Sequence, residues 1–296
     1  MGTPIFKSED ARARLETWYQ RCLDRVDSPV ESRTVPTPHG ANHVLIGGDP
    51  SKPPLVALHA MMTSSAHLLS ELGPLLDRFR IIAPDLPGQS VRGLPKHLPY
   101  DDRAHVDWLR EVLDALDVHE ATLFGVSLGG FIARQFATAH PERVRRLVLL
   151  VPAGIAQGSV FKGLLKMAVP MILYKLSPTE KRLRALVDPL LTTWDDDWAH
   201  YLGDAFNDFT LRRDIPPVAS NAELNALSMP CLILAAEHDI SFPGGPLIER
   251  AESHVPDVET ELLRDTRHSP PTTDAFRTWM ADRITAFIGG EHAHSL

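Results

Sequence analysis

The chain has 296 residues, 44% of them hydrophobic and 23% charged, with 30 basic against 38 acidic side chains and a formal net charge of −8. That length buries a large core without help from disulfides or metals, as one large domain or one domain carrying an insertion. Acidic and basic residues are interspersed with no basic stripe, which argues against a nucleic-acid partner, and two cysteines, Cys22 and Cys231, make no disulfide framework and point to a reducing, cytoplasmic setting.

Residues 8–26 repeat apolar side chains at helical spacing, with Leu15, Trp18, Tyr19, Cys22 and Leu23 close to one face. The first 25 residues mix both signs of charge and lack the apolar centre of a secretory signal. Residues 34–36 and 43–46 flank a Pro-His-Gly turn and read as a hairpin. Continuous apolar runs follow at 54–59, 79–84, 121–125, 144–151, 231–236 and 258–263. Helical patterns lie between and after them, at 102–116, 128–139 and 273–288.

Apolar strands alternating with amphipathic helices predict an α/β fold, a mostly parallel central sheet with helices on both faces. The run Leu-Val-Leu-Leu-Val at 147–151 fits a strand buried on both sides. The alternation stops between about Gln157 and Pro217, where helical patterns at 160–176, 178–191 and 195–209 follow one another. We expect an inserted helical cap at 156–217, with 1–155 and 218–296 forming the core. The apolar stretch 167–174 contains Pro170, sits between Lys166 and Lys175, and is too short to cross a bilayer, so no membrane partner is expected.

Residues 125–130 read Gly-Val-Ser-Leu-Gly-Gly, between an apolar run and a helix. Gly125, Ser127 and Gly129 fit G-x-S-x-G, whose glycines permit a sharp strand-to-helix turn that exposes a serine hydroxyl over a helix N-terminus. The pentapeptide alone is common in unrelated chains, and a closely packed Gly-rich turn is its plain reading. The segment fits neither G-x-G-x-x-G nor a P-loop.

A nucleophilic serine needs a base and a carboxylate to hold that base. In open parallel sheets functional groups gather past the C-terminal ends of strands. After the run 231–236 come Glu237, His238 and Asp239; after 258–263 comes His268. Asp239 is the first choice for the acid and Glu237 the second. The end of the run 144–151 offers no carboxylate. Among 14 histidines, His268 alone sits just past a strand end downstream of Asp239. His254 falls within a helix, His119 and His140 flank helix ends, and His292 and His294 belong to the polar tail.

An oxyanion would be bound by the N–H of Leu128 and by an N–H from the loop after the run 54–59, assigned to Met61. Ala60 and Met62 are candidates for the substrate pocket, and His59 for a structural hydrogen-bonder. Asp195, Asp196 and Asp197 suit a helix N-terminus better than a cation. Lys181 to Arg184 read as a solvated face, and Glu291 to His294 as a polar tail rather than a metal site.

In order, the segments Leu58-His-Ala-Met-Met-Thr-Ser-Ser65, Ala83-Pro-Asp-Leu-Pro-Gly-Gln-Ser90, Gly125-Val-Ser-Leu-Gly-Gly130, His140-Pro-Glu-Arg-Val144, Leu234-Ala-Ala-Glu-His-Asp239 and His268-Ser-Pro270 resemble the α/β-hydrolase superfamily. Within it, the chain is similar to capped, carboxylesterase-like serine hydrolases, over about residues 33–288. The resemblance implies Ser127 as nucleophile, Asp239 as acid, His268 as base, and no cofactor. Two positions depart from the family pattern, Ala60 and Arg267, each where a glycine is usual. Ala60 requires a negative φ.

The expected activity is hydrolysis of a carboxylic ester of a small, largely apolar molecule through an acyl-enzyme. The apolar wealth of the insertion (Leu164, Leu165, Met167, Val169, Met171, Ile172, Leu173, Leu176) suits such a substrate. The same triad also serves C–C bond, thioester or lactone hydrolysis or perhydrolysis, and a ligand-binding descendant without turnover is a third reading. A monomer and a homodimer are both compatible with the sequence.

Overall fold

The computed structural model describes residues 4–100, 103–158, 160–212 and 214–290, without the side chains of 160–165. The expected helix start at Asp102, the side chains of Leu164 and Leu165, and the tail from Glu291 lie outside the described residues.

The chain opens on α1 (Glu9–Leu23), capped by the Ser8 hydroxyl, which accepts from the Ala11 N–H, and carrying Glu9 and Asp10 in its first turn. A hairpin follows, β1 (Val30–Thr37) and β2 (Gly40–Gly47), and then β3 (Pro54–Leu58). Next come α2 (Ser65–Glu71), α3 (Gly73–Leu76), β4 (Arg80–Pro84) and α4 (Ala104–Ala115). The central unit is β5 (Ala121–Val126), α5 (Leu128–Ala139) and β6 (Val144–Leu150). Among the described residues, four helices lie between β6 and the next strand: α6 (Val160–Leu176), α7 (Glu180–Val187), α8 (Asp196–Asp208) and α9 (Asn221–Asn225). The chain closes with β7 (Cys231–Ala236), α10 (Gly244–His254), β8 (Val258–Leu263) and α11 (Asp274–Gly289).

The sheet runs β1-β2-β4-β3-β5-β6-β7-β8. The β1–β2 and β2–β4 pairings are antiparallel, and the other five are parallel. Alternate residues of each strand face opposite sides. Leu147 and Leu149 of β6 enter a core with α4, α5 and α10, whereas Val148 and Leu150 enter one with α1, α2, α7, α8 and α11. The expectation of a mostly parallel sheet covered on both faces therefore holds. No helix among the described residues is long and apolar enough to cross a membrane. Cys22 and Cys231 are buried and unpaired with each other.

The two ends of the helical stretch after β6 differ in how they pack. On α6, Met167 and Met171 pack against the core and Tyr174 is buried, but Val169, Ile172, Leu173 and Leu176 are 44–76% exposed. By contrast α8 is fastened to α1. Trp18 Nε1 donates to Asp204 (2.7 Å), and the Arg14 guanidinium grips both oxygens of Asp208 (2.9 and 2.7 Å). The Lys7 N–H also bonds the Asp208 carbonyl (2.9 Å). Asp195 caps α8 by accepting from the Trp198 N–H at 2.9 Å, with Asp196 and Asp197 in the first turn, as the aspartate run suggested.

Candidate active site

Ser127 sits between β5 and α5 with φ 51° and ψ −111°, a left-handed backbone that a serine adopts only under constraint. Its N–H bonds the Leu150 carbonyl (3.0 Å), and its own carbonyl accepts from Phe131 (3.1 Å) and Ala153 (3.0 Å). The flanking glycines follow from crowding. A Cβ on Gly125 would lie 2.5 Å from the Gly129 oxygen, and one on Gly129 would lie 2.1 Å from the Leu58 oxygen. The same crowding seats the start of α5 against the end of β3.

His268 lies beyond β8, Asp239 beyond β7. The imidazole Nε2 is 3.1 Å from Ser127 Oγ, and Nδ1 is 2.7 Å from Asp239 Oδ2. Asp239 is buried, and its Oδ1 accepts from the N–H groups of Ser241 (2.7 Å) and Phe242 (3.0 Å), which aims Oδ2 at the histidine. An ionised carboxylate only accepts, so Nδ1 carries the proton and Nε2 is free to take one from the serine. Burial works against the imidazolium, but the Asp239 charge and hydrogen bond outweigh it, and the His268 pKa is raised above its ordinary value. Glu237 is turned away, taken by Arg264 (2.8 Å) and by the Asp265 N–H (3.0 Å).

The loop carrying His268 is stitched to the segment between α7 and α8. Ser269 N–H donates to the Leu190 carbonyl (2.8 Å), and the Ser269 carbonyl accepts from the Thr192 N–H (3.1 Å). Arg267, where a glycine is usual, binds the Leu191 carbonyl (3.0 Å) and the Asp188 carbonyl, so its side chain closes the end of α7.

On the other side of Ser127, Ala60 avoids positive φ, as its methyl requires. The Ala60 carbonyl accepts from Thr63 Oγ1 and His59 Nδ1, both at 2.8 Å. His59 Nε2 in turn accepts from the Leu86 N–H (2.9 Å), so this buried imidazole is a strut and burial lowers its pKa. With the Ala60 carbonyl held, the trans peptide directs the Met61 N–H the opposite way. Among the described residues neither the Met61 nor the Leu128 N–H has an intramolecular acceptor.

Beneath this loop, Asp85 is fully buried and takes hydrogen bonds from His43 (2.7 Å), Tyr19 (3.0 Å) and the N–H and hydroxyl of Ser65 (3.0 and 2.8 Å). Burial disfavours its charge, but these donors and the nearby imidazoles more than offset that, and its pKa falls to about 2.

A cavity of about 110 Å³ runs from Ala60 and His268 between α2, α11 and the sheet. Leu68, Leu72, Phe124, Leu150 and Met280 make most of its wall apolar. Of the two expected pocket residues, Ala60 lines this cavity and Met62 does not. The half-buried Met62 side chain packs against the core that α1, α2 and α8 share, and its backbone has φ 53°. None of the described α6 side chains lines this cavity either. Among the described residues Glu237, His238 and Asp265 bring donor atoms within 4.8 Å of one another, but the group is largely exposed and Glu237 is already paired.

Three side chains outside the residues expected from the sequence hold these loops: Gln89, whose Oε1 accepts from the Met62 N–H (3.2 Å), and Trp198 and Tyr201 of α8. Gln89 lay inside a recognised motif; nothing in the pattern of α8 marked its aromatics.

Such a constellation can pass a proton from a serine to an imidazole while a buried carboxylate steadies the charge that forms. A family model described as the alpha/beta hydrolase fold matches residues 53–275. Carboxylesterase YbfK of Bacillus subtilis is 27% identical over 258 residues, which are 81% of this chain and 83% of that protein. A second protein of that species, named uncharacterized carboxylesterase nap, is 24% identical over 94% of this chain and 90% of its own length. The crystal structure of naproxen esterase (carboxylesterase NP) from B. subtilis superposes with a TM-score of 0.80 at 22% identity, covering 93% of this chain and 97% of that one.

Proposed function

The chain belongs to the alpha/beta hydrolase fold family, and from that premise we propose that it is a serine carboxylesterase working through an acyl-enzyme. The observation that carries this reading is His268 bridging Ser127 and Asp239 at 3.1 and 2.7 Å. In the proposed mechanism Ser127 Oγ attacks the ester carbonyl as His268 Nε2 takes its proton. Asp239 stays ionised and steadies the imidazolium. The Met61 and Leu128 N–H groups bind the developing oxyanion. His268 then protonates the departing alcohol, and later activates the water that releases the acid. No step calls for a cofactor.

The apolar cavity beside His268 supports a small substrate with a compact apolar group. Within the insertion expected at 156–217, we assign the covering role to α6, whose outer face is apolar and exposed, and place α8 with the core that holds it.

The test is Ser127→Ala, assayed on p-nitrophenyl butyrate and with a fluorophosphonate probe. The reading expects turnover and labelling in the parent and neither in the variant. Undiminished turnover in the variant would overturn it.

A further inference from the structure

Two side chains of α8 reach the two loops that flank Ser127. The Tyr201 hydroxyl donates to the Met62 carbonyl at 2.6 Å, and Trp198 Nε1 donates to Ser269 Oγ at 2.8 Å. Spaced three apart, the two residues share a helix face. Their rings stack on each other (5.3 Å between centroids, 12° between planes), and His67 of α2 stacks on Trp198 (4.0 Å, 24°). Tyr201 is buried, and burial pushes its pKa well above the ordinary value, so it remains a donor.

Met62 has the backbone that needs holding. Its φ of 53° is unfavourable for an unbranched side chain with a Cβ and persists only where neighbours impose it. Gln89 takes its N–H and Tyr201 holds its carbonyl. The preceding residue is Met61, whose N–H is the candidate oxyanion donor. On the other arm, Ser269 directly follows His268. The helix making both contacts is itself fastened to α1 through Asp204 and Asp208.

We propose that α8 is a fixed post that sets the catalytic geometry, with Tyr201 positioning the oxyanion loop and Trp198 positioning the histidine loop. This rests on the serine-esterase reading and goes beyond it, because it assigns two positioning residues in a stretch whose sequence suggests only a cap. Neither residue exchanges a proton with substrate.

Tyr201→Phe keeps the stacked ring and deletes one hydrogen bond. It should lower kcat on p-nitrophenyl butyrate about tenfold, leave KM within about twofold, and slow fluorophosphonate labelling in parallel, since both reactions use the same oxyanion donors. Backbone hydrogen exchange over residues 59–64 should accelerate in the variant. Ser269→Ala removes the acceptor of Trp198 without touching α8. It should lower kcat while exchange over 59–64 stays as in the parent. Parental kcat together with parental exchange in Tyr201→Phe would overturn the proposal. Should the parent hydrolyse no ester, the esterase reading fails, and the exchange measurement alone decides whether Tyr201 holds the loop.

Discussion

Asp239 Oδ2 lies 2.7 Å from His268 Nδ1, while the other oxygen of Asp239 is occupied by the Ser241 and Phe242 N–H groups. The turn after β7 thus orients the carboxylate through contacts that do not involve the histidine, and one pairing sets both the imidazole's tautomer and its basicity. Because the His268 pKa is raised above the ordinary histidine value, kcat/KM should fall as pH drops through a point above about 6.5. The sign follows from role: the base acts neutral, and protonation removes it. In Asp239→Asn the raising charge disappears while burial persists, so the acid limb should move to lower pH. The same variant should lose about a thousandfold or more in kcat through the wrong tautomer. A pH–rate profile of parent and variant checks both; an unmoved limb would separate His268 from the observed titration.

The glycines on either side of Ser127 and Gly245 of α10 make opposite predictions. Gly129→Ala would place a methyl 2.1 Å from the Leu58 oxygen, a backbone atom that cannot swing aside. The strand and helix must part, so stability should fall by about 2 kcal/mol or more and labelling of Ser127 should be lost. Gly245, in the first turn of α10, has nothing within 4 Å of an added Cβ and no positive φ. Gly245→Ala should raise stability by about 0.5 kcal/mol with activity unchanged. Urea unfolding of the two variants beside the parent is the measurement.

What the sequence made visible was local. Ser127, Asp239 and His268 each sit just past an apolar run, so strand pattern and chain order were enough to bring them forward. The choice between Asp239 and Glu237 needed the turn itself, where two N–H groups aim one carboxylate and Arg264 removes the other. The contribution of α8 was hidden for a related reason. Tyr201 meets Met62 from 139 residues away and Trp198 meets Ser269 from 71, and helical periodicity marks a buried face without saying what it touches. The unequal anchoring of α6 and α8 likewise depends on pairing with α1, a contact between segments nearly two hundred residues apart.

Asp85 should govern acid stability more than catalysis. Its pKa is held to about 2, below the ordinary aspartate value, so its contribution is fully present above about pH 4 and is lost as pH falls toward 2. That difference is worth about 2 kcal/mol. Asp85→Asn cannot take four donors as an anion does and leaves Tyr19, His43 or Ser65 short of a partner. We expect a loss of about 3 kcal/mol at neutral pH and a flatter decline of stability on acidification. Denaturant unfolding between pH 3 and 7 tests this, and a parallel decline in the two proteins would contradict it.

The cavity next to His268 should set chain-length preference. An apolar cavity of about 150 Å³ accommodates a benzene ring, so the roughly 110 Å³ available here suits a somewhat smaller apolar group. Each methylene buried in it is worth about 0.8 kcal/mol, or close to fourfold in kcat/KM. Activity on p-nitrophenyl esters should therefore rise from acetate through butyrate and level off once the cavity is full. Met280 lines the wall on the α11 side. Met280→Trp should fill the space, reducing hexanoate hydrolysis about tenfold while acetate hydrolysis stays within about twofold, at a cost of about 1–3 kcal/mol in stability. Ala60→Gly removes a methyl from the cavity wall on the side of the oxyanion loop. It should raise the relative rate on branched acyl esters and cost about 0.5–1 kcal/mol in stability through added freedom of the unfolded chain. A substrate series that peaks on acetate in the parent, or that Met280→Trp leaves unchanged in shape, would mean that the acyl group binds elsewhere.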